Sequence, residues 1–215
     1  MGAALFDLDG TLVDSERLAI EALLAAAMHH GHALSREAIE RRPGAHFAAL
    51  LVDELRIDLA EATAICSTYD AIFLEVAVPK VEPLPGADAL LNALARAGAG
   101  LGIVTNKPRV LVEPVLRALS WDRVFTAVIP HGATPENKPS PMPALAALRM
   151  LATQPANAVF IGDTESDMLC GSAAGLRAVI AVDGSRPRES LRSAGASHLC
   201  ASLWEVGEVL GLALR

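Results

Sequence analysis

Ala3-Ala4-Leu5-Phe6-Asp7-Leu8-Asp9-Gly10-Thr11-Leu12-Val13-Asp14-Ser15 is the stretch on which the fold turns. Its apolar start, Ala3 to Phe6, reads as a buried strand that ends abruptly in two carboxylates spaced i, i+2. Alternate residues of a strand face the same way, so Asp7 and Asp9 are expected to converge just beyond its carboxyl end. Like charges held that close repel unless a cation or a shared proton compensates them. Gly10 allows a tight turn, and Thr11 adds a hydroxyl and a backbone N–H. A strand followed by an Asp-Gly turn occurs in many folds. Folding does not require the paired carboxylates, whereas phosphoryl-transfer chemistry does.

Three further segments complete the same chemistry in chain order. Leu101-Gly102-Ile103-Val104-Thr105-Asn106-Lys107-Pro108 is a second apolar strand, ending in a hydroxyl and an amide. Glu136-Asn137-Lys138-Pro139-Ser140-Pro141 holds a lysine in a proline-stiffened loop before a helix. Val159-Phe160-Ile161-Gly162-Asp163-Thr164-Glu165-Ser166-Asp167 is a third strand, ending in Gly-Asp with another aspartate four residues on. Together these segments resemble the four ordered motifs of the haloacid dehalogenase-like hydrolase superfamily, and the resemblance covers nearly the whole chain. The Thr-Asn-Lys-Pro and Asn-Lys-Pro wording is most similar to the phosphoglycolate phosphatase branch.

Composition narrows the class. A chain of 215 residues can bury one good core and a smaller second unit. With 52% hydrophobic and 20% charged residues it reads as globular. Much of the apolar fraction is alanine, and no run is expected to approach the roughly 20 apolar residues of a spanning helix. The first strand begins almost at Met1 with no basic stretch before it, against a signal peptide. Cys66, Cys170 and Cys200 are far apart and lack metal spacing, which points to a reducing cytoplasm. A formal charge of −7 without a basic run argues against nucleic acid as a partner. The same charge repels an anionic substrate, so a phosphate ester needs local compensation. Of only three lysines, Lys80, Lys107 and Lys138, two fall inside the motifs.

Apolar runs ending near Asp7, Thr105, Ile129, Asp163 and Asp183 alternate with helical patterns. That alternation predicts βα units: a Rossmann-like parallel sheet flanked by helices. Helices are predicted over 87–97, 109–119, 142–151 and from Asp163 or Thr164 to near Gly175. Residues 15–81 break the alternation with four helical patterns and no strand. They begin at Ser15, at Ser35, at about Ala45 and at Asp58, where Glu61 makes a capping-box pattern. The expected organisation is therefore an α/β core of residues 1–14 and 82–215 with an α-helical cap domain, 15–81, inserted after the first strand. A fixed helical bundle that only enlarges the core is the plainer reading of that insertion.

By resemblance, Asp7 is the nucleophile that forms an aspartyl-phosphate, and Asp9 is the general acid and then the base. Mg²⁺ is implied as cofactor, held by Asp7, Asp163, the backbone carbonyl of Asp9, and Asp167 directly or through water. Thr105, Asn106, Gly10 and Thr11 are implied phosphate contacts, and Lys138 the cation that neutralises the phosphoryl group and Asp7. Plainer roles exist: strand residue for Thr105, turn or cap for Asn106, surface charge for Lys138, N-cap for Asp163. Lys107 reads as a solvated helix-start residue, and Glu165 as solvent-facing. Arg42 and His46 align with the substrate-contact loop of related caps, with surface charge as the alternative. His29, His30 and His32 read as structural, near a helix end where cations suit the dipole. Met142 stands where the family commonly has an aspartate.

The implied activity is hydrolysis of a small phosphorylated metabolite, phosphoglycolate or a sugar or polyol phosphate, by a cytoplasmic monomer or homodimer with no membrane partner. A sugar phosphomutase is the nearest alternative, but its relatives place a histidine shortly after Asp14, where this chain has Ala19. A non-enzymatic phosphate-binding or regulatory protein is the other.

Overall fold

The computed structural model describes residues 1–41 and 47–214. By packing, the chain divides into two compact units, Met1–Asp14 with Glu82–Arg215, and Ser15–Val81.

The first unit is built on a six-stranded sheet in which every pairing is parallel. Its strands are β1 (Ala3–Phe6), β4 (Gly100–Pro108), β5 (Ala127–His131), β6 (Ala158–Gly162), β7 (Ala178–Val182) and β8 (His198–Cys200). The spatial order is β5-β4-β1-β6-β7-β8. β1 is thus central, and all four of its residues are fully buried because helices cover both faces of the sheet. One side of the core joins Leu5, Val104, Ile129, Phe160 and Val179 of the sheet to Leu148 and Met168 of the helices. Gly102 lies beside Leu5, where a Cβ would come within 2.8 Å of a Leu5 methyl. The strand order reverses beside β1, and in open α/β sheets ligands collect at such a point, beyond the carboxyl ends of the strands.

Helices alternate with these strands: α5 (Ala87–Arg96), α6 (Arg109–Ala118), α7 (Met142–Met150) and α8 (Glu165–Ala173) are those the sequence predicts, and α9 (Arg188–Ser193) and α10 (Leu203–Val209) are additional. Thr164, not Asp163, caps α8. β8 and two details of connection also go beyond the sequence reading. A short antiparallel ribbon pairs β2 (Val13–Asp14) with β3 (Glu82–Pro83), and β4 runs on to Pro108 instead of yielding to helix at Lys107.

The second unit is helical, with no strand among its described residues. It comprises α1 (Glu16–His29), α2 (Arg36–Glu40), α3 (Phe47–Leu55) and α4 (Leu59–Ile72), the last continuing through a π turn (Phe73–Ala77) and a 3₁₀ turn (Val78–Lys80). Asp58 caps α4 by accepting the Glu61 N–H at 2.8 Å. The Glu61 carboxylate itself pairs with His32 at 2.8 Å, and His30 meets Thr68 at 2.8 Å, tying the end of α1 to α4. The continuous run Leu59–Lys80 is 22 residues long with a mean hydropathy of 1.2, enough to cross a membrane by length and composition alone. Glu61, Asp70, Glu75 and Lys80 interrupt it, so it is not the unbroken apolar run whose absence the sequence predicts. Its buried stripe, Ala62, Ile65, Tyr69 and Phe73, packs inside the helical unit, with the Phe47 ring 4.9 Å from that of Tyr69.

Candidate active site

The turn after β1 places the two carboxylates. Gly10 takes a positive φ of 77°, the Gly10 N–H reaches the Val13 carbonyl at 3.0 Å, and Leu12 and Val13 fold back onto the Leu8 carbonyl. A Cβ on Gly10 would lie 2.6 Å from Asp163 Oδ2, so only glycine lets this turn approach the end of β6. Asp7 is nearly buried, and its Oδ1 accepts both the Leu8 N–H at 2.7 Å and the Lys138 ammonium at 2.9 Å.

Lys138 is the hub. Its Nζ lies 2.5 Å from Asp167 Oδ1 as well as 2.9 Å from Asp7, and the ammonium stands over the Phe160 ring at 5.9 Å. Asn106 donates its side-chain amide to the Lys138 carbonyl at 3.1 Å, fixing the loop that carries the lysine. The missing aspartate at Met142 therefore leaves Lys138 well oriented, since Asp167 and Asp7 hold its head and Asn106 its backbone.

Asp167 is fully buried, and both its oxygens are engaged. Oδ1 takes Lys138, while Oδ2 accepts the Thr164 N–H at 3.0 Å and the Thr164 hydroxyl at 2.6 Å in a capping box for α8. Gly162 makes room for it, because a Cβ there would sit 2.5 Å from that of Asp167. Asp163 accepts the Thr11 hydroxyl at 2.6 Å.

Electrostatics agree with the geometry. Burial, followed by the Asp167 charge, pushes the Asp7 carboxyl up to about 6 against the pull of Lys138. Asp163 is likewise pushed well above the usual range by burial and then by Asp167 and Asp7. For Lys138, burial works against the charged form, but Asp167 and Asp7 outweigh it and hold the ammonium above the ordinary lysine range. One cation among three carboxylates leaves negative charge uncompensated. Oxygens of Asp7, Asp163 and Asp167 lie within 4.8 Å of one another. A cluster of hard, buried oxygen donors with excess negative charge fits a divalent cation.

Most of the expected site residues meet here, some in other roles. Asp7, Lys138, Asp163 and Asp167 converge. Thr105 is buried within β4, three residues before its end, and its hydroxyl accepts the Lys107 N–H at 3.1 Å. The Thr11 hydroxyl is fully buried and donates to Asp163, so the side chain braces that carboxylate. The Asn106 amide braces the Lys138 loop. Arg42 and His46 lie outside the described residues. One expectation of solvent exposure is corrected, that of Lys107, while Glu165 is partly exposed and also makes contacts. Lys107 is buried and grips Asp9 with its Nζ 3.0 and 3.2 Å from the two carboxylate oxygens. Glu165 accepts the Ser190 hydroxyl at 2.6 Å and pairs with Arg186 at 3.2 Å, joining α8 to the segment after β7. Burial opposes its ionised form, yet Ser190, its own backbone and Arg186 together keep the carboxyl below its ordinary value. A strand period carried past Asn106 would have put Lys107 on the Thr105 side; the Glu165 contacts leave no local signal.

A doubly flanked parallel sheet with a buried lysine-bridged acidic cluster at its switch point defines a class, the hydrolases of the haloacid dehalogenase-like fold. The chain belongs to the haloacid dehalogenase-like hydrolase family, whose sequence profile matches residues 4–181. Within it, the chain is a phosphatase-type enzyme of the phosphoglycolate phosphatase-like branch. A phosphoglycolate phosphatase of Xylella fastidiosa (strain 9a5c) is 32% identical over 192 residues, covering 86% of this chain and 82% of the relative. The crystal structure of a candidate phosphoglycolate phosphatase from Lactobacillus plantarum superposes with a TM-score of 0.83 at 26% identity, covering 97% of this chain and all of the other. A candidate beta-phosphoglucomutase from Thermotoga maritima shares the fold, with a TM-score of 0.78, 24% identity and 98% and 99% coverage.

Proposed function

We propose that this enzyme is a Mg²⁺-dependent phosphatase that hydrolyses a small phosphorylated metabolite through an aspartyl-phosphate on Asp7. Phosphoglycolate is the first substrate to test and a sugar or polyol phosphate the second. The observation that carries the reading is the buried Lys138 ammonium bridging Asp7 and Asp167 within an acidic cluster. Uncatalysed phosphate-monoester hydrolysis is slow enough that such enzymes supply up to about 10²¹-fold acceleration. Positioning and electrostatics supply most of it.

Two bonds fix Asp7 through Oδ1, which leaves Oδ2 to attack phosphorus in line with the departing alcohol. Asp9 gives its proton to the alcohol oxygen as the P–O bond breaks, so the alcohol leaves neutral. Asp9, now a carboxylate, takes a proton from water as the water oxygen attacks the phosphoryl group. The phosphorus–Asp7 bond breaks, inorganic phosphate is released, and Asp9 again holds the proton. Throughout, Lys138 offsets charge on Asp7 and on the phosphoryl oxygens, while Thr105 and Asn106 of β4 would contact the non-bridging oxygens. Mg²⁺, held by Asp7, Asp163 and the Asp9 carbonyl, with Asp167 directly or through water, would supply the remaining positive charge.

We assign substrate selection to the helical unit, including Arg42 and His46, on the strength of its insertion after β1 and the family resemblance. Three free cysteines, two of them buried, support a cytoplasmic setting. The phosphomutase alternative is disfavoured by Ala19. A panel of metabolite phosphates, assayed with and without chelator on wild type and Asp7→Asn, tests the reading. Phosphate release that needs Mg²⁺ and vanishes in the variant is the expected result; activity that survives both controls refutes it.

A further inference from the structure

Two of the three lysines are buried at the end of the sheet, and each grips a different carboxylate of the Asp7-Leu8-Asp9 pair. Lys138 takes Asp7, and Lys107 takes Asp9. We infer that Lys107 is a positioning residue for the proton-transfer carboxylate of Asp9, acting through that side chain and not on the substrate. The inference deepens the proposed function and rests on the assignment of Asp9 as the acid.

The geometry is specific. Lys107 Nζ lies 3.0 Å from Oδ1 and 3.2 Å from Oδ2, so the ammonium forks across both oxygens and fixes the rotation of the carboxylate. The pair is uneven in exposure: the lysine side chain is 6% exposed and that of Asp9 31%. A buried ammonium needs its counter-ion, and here that partner is the very group that must face the leaving oxygen. The backbone is fixed as well. The pairing of β4 shifts register between Val104 and Pro108, yet Thr105 and Lys107 are both buried while Asn106 and Pro108 are exposed, and the Lys107 N–H donates to the Thr105 hydroxyl at 3.1 Å. A lysine at a helix start would have no such constraint. Holding a catalytic group in its reacting geometry is a large part of its effect, and small misplacements are costly.

The leaving group provides the test. An alkyl phosphate needs its departing oxygen protonated, whereas p-nitrophenyl phosphate releases an acidic phenol that does not. Because kcat/KM reports only steps through alcohol departure, it separates the acid role from later water attack. We expect Lys107→Met to lower kcat/KM for the best alkyl ester of the panel by about 10- to 100-fold, within the range of general acid catalysis. The p-nitrophenyl ester should fall by less than about threefold. Lys107→Arg should restore most of the loss, and Lys107→Met/Asp9→Asn should fall no further than Asp9→Asn alone. Lys107→Gln, measured in parallel with its thermal midpoint, keeps the readout if the methionine variant does not fold. Equal losses on both esters, a rise in KM alone, or additive losses in the double variant would overturn the inference while leaving the phosphatase reading intact. A wild type that releases no phosphate from any ester would overturn both.

Discussion

At the scale of single residues, the site is a problem of charge confined to a small volume. Asp7 and Asp163 both have carboxyl groups pushed above their usual range, so the folded protein holds protons that the unfolded chain releases. Their contribution therefore favours folding at low pH and is lost as pH rises through the interval from 3.8 to about 6 for Asp7. Without metal, Asp7→Asn should gain stability over wild type by on the order of 3 kcal/mol at pH 7 and by little at pH 4. Saturating Mg²⁺ should reverse that order at pH 7, read by thermal unfolding at both pH values. Glycines set the approach distances. Gly162→Ala would drive a Cβ into Asp167, so turnover should drop at least about tenfold with a lowered melting midpoint. The carboxylates and the Gly10 turn were legible in the sequence because they follow apolar runs, and Lys138 because prolines stiffen its loop. The bond from the Thr11 hydroxyl to Asp163 was not, since the two residues are remote in sequence.

At the scale of elements, punctuation by proline, glycine and capping side chains made the helices readable, and α5 to α8 fall where those signals put them. β8 escaped notice because three residues, His198 to Cys200, carry too little apolar pattern to register. β4 was read short for a different reason: Pro108 suggested a helix start, but a proline at the last position of a strand forfeits little pairing. In the helical unit, α4 and its π turn supply the long buried stripe. Phe73 is fully buried in that turn and lies 5.7 Å from the Tyr69 ring. Phe73→Ala should cost about 3–5 kcal/mol of stability, measured by denaturant unfolding. Packing of this kind decides where a helix bends, and periodicity alone carries no trace of it.

At the scale of the molecule, a net charge of −7 sets the terms on which an anionic substrate arrives. The repulsion acts at long range and is screened by salt. Raising ionic strength from about 10 mM to 150 mM should therefore increase kcat/KM for a dianionic ester by roughly two- to fivefold, with kcat little changed. A neutralising pair such as Lys107 or Lys138 acts inside the site, where salt has small effect. The ribbon of β2 and β3 has a separate consequence. Asp14 and Glu82 stand directly opposite each other, so the strand that leaves the sheet unit and the strand that returns to it are already stitched together. Residues 15–81 are consequently a plug-in module: a hairpin of a few residues could close the gap without moving β1. An insertion of different length or fold could join the sheet unit at the same two strands and leave the register of β1 as it is.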